Sequence, residues 1–128
     1  MRLRELDPQF VRREIRPCHV GADGCNMVSE HTEHEDYVPV DAIADADGLM
    51  YLCPKCFVAR GSGIGVHSVL SWRLGRVPDG VQPGPGRWDF IGTGIDDLTF
   101  RAGSSSIKLL GGCDAHYFIE NGVIRLDP

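Results

Sequence analysis

Two short ligand pairs constrain this chain more than anything else in it: Cys53-Pro54-Lys55-Cys56 and Cys113-Asp114-Ala115-His116, with residues 57–112 between them. Two residues between donors let both side chains of one tight turn reach a common ion. Three thiolates and one imidazole form a closed tetrahedral set of the structural zinc type. The spacing therefore predicts one Zn2+ site in Cys53, Cys56, Cys113 and His116. His67 follows the glycine-rich run 61–65, which can fold back over an ion, and it is the alternative fourth ligand. The plainer reading, three buried apolar thiols, leaves the paired spacing unexplained.

At 128 residues the chain reads as one domain, large enough for a core and small enough to gain from a metal. The five cysteines are an odd number. No apolar run is long enough to span a bilayer, and no secretory leader is apparent. The expectation is a soluble protein of a reducing, cytoplasmic compartment, where paired cysteines hold metal more often than they form disulfides.

Charge is uneven along the chain. Arg2, Arg4, Arg12, Arg13 and Arg16 precede a stretch, residues 17–50, that carries Asp23, Glu30, Glu33, Glu35, Asp36, Asp41, Asp45 and Asp47 with no Lys or Arg. An acidic middle and a net charge of −5 repel phosphate backbones, so nucleic acid is disfavoured as a partner unless the arginines form an isolated patch. A solvated acidic loop beside an ordinary amphipathic helix explains the same pattern more simply.

Local patterning gives three regions. Asp7-Pro8 resembles an N-cap with proline at N1, and Phe10, Val11 and Ile15 supply one apolar face, which predicts a short helix within 1–16 ending before Pro17. Residues 17–47 read as an irregular acidic excursion with one edge strand near Tyr37–Val40, since Pro39 cannot donate to a ladder. From Gly48 the pattern is strand and turn. Strands are expected at 49–52, 57–60, 66–72, 87–91, 97–101 and 106–110, with a long surface loop at 73–86. Tyr117–Glu120 and Val123–Leu126 flank Asn121-Gly122, the preferred pair for a two-residue hairpin turn. The fold class is thus mostly β: a small zinc-stapled antiparallel sheet domain, core 48–128, with a short N-terminal helix. Trp72, Trp88, Phe90, Phe100 and Phe118 read as core before they read as a base-stacking platform.

The stretch from Gly48 onward resembles a family of small phage and prophage proteins of unknown function. The resemblance is carried by Leu52-Cys53-Pro54-Lys55-Cys56, Val66-His67, Gly86-Arg87-Trp88, Gly92-Thr93-Gly94, Asp97-Leu98-Thr99, Ser106-Ile107, and Leu110-Gly111-Gly112-Cys113 through His116, Phe118-Ile119 and Asn121-Gly122. Residues 17–47 lie outside it. It implies a fold and a viral or prophage origin, and no activity.

Enzyme signatures fit poorly. His31-Thr32-Glu33 ahead of Cys53-Pro54-Lys55-Cys56 is similar to a zinc-deaminase pattern, but Leu52 stands where that pattern has proline. Asp45-Ala46-Asp47-Gly48 lacks the first and last ligands of a calcium loop, and 61–65 lacks the helix and Lys of a phosphate cradle. Cys113 and His116 are the right types for a cysteine hydrolase, but metal coordination would use the thiolate. Cys18, His19, Cys25, His31 and His34 form a looser second cluster. The expected function is a zinc-binding accessory or interaction protein that meets another protein, of phage or host, through 17–50 or 73–86. A zinc-dependent hydrolase or deaminase-like enzyme using Glu33, Asp97 or Asp114, and a virion component, are the alternatives. Oligomeric state stays open.

Overall fold

The computed structural model describes residues 1–17, 33–83, 86–101, 107–108 and 113–127. Its strands are β1 Gln9–Pro17, β2 Glu33–Pro39, β3 Gly48–Leu52, β4 Ser68–Arg73, β5 Arg87–Ile91, β6 Thr99–Arg101, β7 Ile107–Lys108, β8 His116–Glu120 and β9 Val123–Leu126, with one helix, α1, Pro54–Arg60. Six strands form a sheet in the order β2-β1-β3-β4-β5-β6, and β7-β8-β9 form a second. The mostly β class is as expected. All pairings are antiparallel except β4 with β5, whose parallel register sets Trp72 beside Arg87.

The helix expected before Pro17 is strand β1, and the only N-terminal helical turn among the described residues is the 3-10 segment Leu3–Leu6. Asp7 closes that turn in the left-handed region, φ 51, so it cannot cap a following helix. Adjacent Phe10 and Val11 are 4% and 2% exposed and belong to separate clusters on opposite faces of the sheet. Successive residues face opposite ways only in a strand. β2 then satisfies the arginines: Arg13 Nε donates to Glu35 at 2.7 Å and Arg16 Nε to Asp36 at 2.9 Å. Part of the acidic stretch is therefore the edge strand expected near Tyr37, and its carboxylates are partners of β1.

The main core lies between the two sheets. Phe10, Leu49, Tyr51, Val69 and Phe90 pack from the large sheet, and Ile107, Tyr117, Ile119 and Ile124 from the small one. Phe90 stacks on Phe100 with centroids 4.7 Å apart. On the other face, Val77 and Val81 of the loop after β4 pack with Trp72. Arg87, 8% exposed, holds that loop in shape: its guanidinium donates to the carbonyls of Val77, Pro78, Val81, Pro83 and Gly86. The bonds to Pro78, Val81, Pro83 and Gly86 are only part-buried, so their main effect is to fix the loop's shape rather than to rescue carbonyls cut off from water.

β8 and β9 join through Asn121 and Gly122 at φ 50 and 72, the two positive values a type I′ turn requires. The turn also docks: Gly122 N–H donates to Leu98 O, and Gly122 O accepts from Leu3 N–H. A Cβ at Gly122 would overlap the Asp96 carbonyl. Gly122→Ala is therefore expected to cost at least about 2 kcal/mol, well beyond the usual Gly-to-Ala difference, as measured by denaturant unfolding.

Candidate metal centre

β3 ends at Leu52, and Cys53 takes the N-cap of α1, where its carbonyl accepts the Phe57 N–H at 2.9 Å. Pro54 at N1 needs no intrahelical partner, which suits a helix start. Residues 57–60, expected as a strand, are thus helical. Gly61, φ 72, ends the helix and returns its N–H to Phe57 O at 3.0 Å. Cys56 stands in the first turn of this helix.

The chain then turns back into β4. Leu52 pairs with Ser68 across the β3–β4 ladder, and one step further the Cys53 N–H donates to His67 O at 3.0 Å. His67 is thus delivered opposite Cys53 by the antiparallel register. Cys113 arrives from the approach to β8, with its carbonyl accepting from Lys55 Nζ at 2.7 Å.

The four donors meet. Cys53 Sγ lies 3.5 Å from Cys113 Sγ, and Cys113 Sγ lies 3.4 Å from His67 Nε2. With Cys56 Sγ, all ligand atoms fall within 4.8 Å of one another and could hold a metal ion. Cys53 is buried, Cys56 and Cys113 are half-buried, and His67 is exposed. Burial pushes the Cys53 thiol up to about 12. Burial acts the same way on Cys113, but hydrogen bonds from His67, the Ala115 amide and the neighbouring thiols outweigh it and bring that thiol down to about 7.

His116, preferred by spacing, is not in the cluster; His67, the alternative, is. Strand pleat explains the difference. Ala115, Tyr117 and Ile119 are all fully buried and point into the core, so His116, between two of them, points outward. Its Nδ1 sits 3.0 Å from Asp127 Oδ2, and its ring lies against Phe118. A cavity of about 540 Å3 there is lined by Lys55, Asp114, His116, Leu126 and Asp127.

Behind the cluster, Tyr51 of β3 and Tyr117 of β8 share a 2.6 Å hydroxyl–hydroxyl bond, and Tyr51 also bonds Ser71 of β4 at 2.9 Å. Burial pushes the Tyr51 hydroxyl up to about 12 and raises that of Tyr117 further, so both stay neutral. This network was not anticipated from sequence; the alternation of Tyr51 with Cys53, two residues on along the same strand edge, was the available signal.

The other candidates are dispersed. Asp97 spends its carboxylate on the amides of Thr93 and Gly94 and on the Thr93 hydroxyl. Asp47 accepts from the Arg13 amide and pairs with Arg76. The run 61–65 leads into β4 and has no helix after it. Cys18, His19, Cys25 and His31 lie outside the described residues, as do the side chains of Glu33 and His34.

The geometry predicts that His67→Ala lowers metal content and melting temperature together. His116→Ala should leave metal content unchanged and cost about 1 kcal/mol or less, as surface substitutions usually do. Metal-to-protein ratio and thermal melting of the two variants decide this, and the reverse pattern would move the ligand to His116. Comparison with family models, with curated proteins and with solved structures found no match to this chain.

Proposed function

We propose that the chain is a small protein-binding module in which Cys53, Cys56, His67 and Cys113 hold a structural zinc ion. The observation that carries the reading is the convergence of three thiols and one imidazole, from three separated segments, within 4.8 Å. A tetrahedral zinc site places sulfur and nitrogen donors about 3.6 Å apart and two sulfurs about 3.8 Å apart. The contacts of 3.4 and 3.5 Å need only small outward shifts to reach those values. Soft thiolates with an imidazole favour zinc over the hard oxygen-seeking cations.

Four protein donors complete the coordination, which suits an ion that holds shape. It would tie the end of β3 and α1, the start of β4 and the approach to β8. The carboxylate that a hydrolytic centre would need is not to hand at Asp97, which is bonded to backbone amides.

For partners, the surface argues against nucleic acid. Arg4, Arg12, Arg13 and Arg16 are each paired with a carboxylate, so they form no isolated cationic patch. A protein partner meeting the loop that Arg87 organises fits better, because a pre-shaped loop loses less freedom on binding. The motif resemblance to phage and prophage proteins supports an accessory role of this kind.

Elemental analysis of the purified chain should find about one zinc per chain. A well-folded protein with less than half an equivalent would sink the reading. Because binding energy at such a site is folding energy, on the order of 10 kcal/mol, chelation should strongly lower the melting temperature. An unchanged melt after metal removal would refute the structural role.

A further inference from the structure

We propose that Cys113 and Cys53 are a peroxide-responsive pair that releases the ion by closing a disulfide; this rests on the zinc reading above. The two sulfurs are in contact at 3.5 Å, so a bond of about 2.05 Å needs roughly 1.5 Å of travel. Access differs sharply between them. Cys113 is half-buried beside the exposed His67, whereas Cys53 is fully enclosed. An oxidant from solvent therefore meets Cys113, and Cys53 waits behind it as the resolving thiol. Lys55, bonded to the Cys113 carbonyl at 2.7 Å, holds that residue in place over the start of α1.

The oxidant class is a hydroperoxide. The Cys113 thiolate attacks one peroxide oxygen, the O–O bond breaks, and the product is a sulfenic acid with hydroxide, which takes a proton to become water. The Cys53 thiolate, deprotonated like Cys113 while both hold the ion, then attacks the Cys113 sulfur, the S–O bond breaks, and hydroxide leaves and takes a proton from solvent to become a second water. Two thiols have lost two electrons, and the peroxide has gained them. Both sulfurs are withdrawn from the ion, leaving only Cys56 and His67, too few donors to retain it.

The consequence is local. The β3–β8 junction stays joined, now covalently, and keeps its buried tyrosine contact. The segment from Phe57 to His67 loses its anchor. It carries the most exposed apolar side chains of this region, Val58 and Ile64, so its release would change the surface that a partner meets.

The test uses the zinc-loaded chain treated with hydrogen peroxide. Zinc release is followed with a chromogenic chelator, thiol loss is titrated, and non-reducing peptide mapping locates the bond. Expected are about one zinc released per two thiols lost, a Cys53–Cys113 linkage within one chain, and zinc rebinding after a thiol reductant. Hydrogen exchange should rise in 57–67 and stay low in β3 and β8. Zinc retained under about tenfold excess peroxide would overturn the proposal. So would release accompanied by Cys53–Cys56 linkage, inter-chain disulfides or sulfinic acid alone. A folded chain that never held zinc would instead overturn the zinc reading, which the same starting measurement detects.

Discussion

The contact between the end of β3 and the start of β8 sets the rest of this structure. Tyr51 and Tyr117 are buried, and each carries a hydroxyl that would be costly to enclose alone. They satisfy one another at 2.6 Å, with Ser71 completing the chain of bonds, and the rings meet edge to face. A one-residue slip of either strand would turn its tyrosine to the opposite face. Register between the two sheets is thereby pinned, and Cys53 and Cys113, just beyond the paired tyrosines, are brought into contact. The metal cluster is built on a buried polar lock.

Charge follows a similar logic of local satisfaction. The acidic bias after residue 16 reads in sequence as a repulsive loop, yet Glu35 and Asp36 lie on a strand whose neighbour carries Arg13 and Arg16. Burial raises the Glu35 carboxyl, but hydrogen bonds from Tyr37 and Arg13 outweigh it and hold it below the usual range. A group whose folded value is depressed contributes stability above its ordinary 4.5, and that contribution fades as pH falls through the folded value. The pair is partly exposed, so its worth is small, and its larger role is to hold β2 on the sheet edge. Arg87 does comparable work through carbonyl oxygens, by gathering those of the loop that precedes β5.

Much of this was legible in the residues. Alternating apolar positions and Asn121-Gly122 fixed the final hairpin, because a two-residue turn with both residues at positive φ is a local event. Three of the four donors were legible too, since Cys53 and Cys56 share one turn and Cys113 stands out as the remaining thiol of the strand-rich region. The proline-rich stretch before Arg87 announced a loop, though not the guanidinium that organises it.

What the chain by itself determined, then, was the class of the fold, the hairpin and the thiols, all governed by interactions over a few residues. Tertiary structure alone decided the rest. Phe10 and Val11 satisfy a helical face as readily as a strand, and only burial on both sides, with carboxylates supplied by β2, selects the strand. Pro54 and Gly61 bound a helix that the short apolar run after Cys56 disguised as a strand. The fourth donor was decided by two long-range facts: Tyr117 belongs to the core, which turns His116 away, and the β3–β4 register sets His67 across from Cys53. Spacing measures how near two residues can be along the chain, whereas a coordination site depends on which side of a strand each one faces.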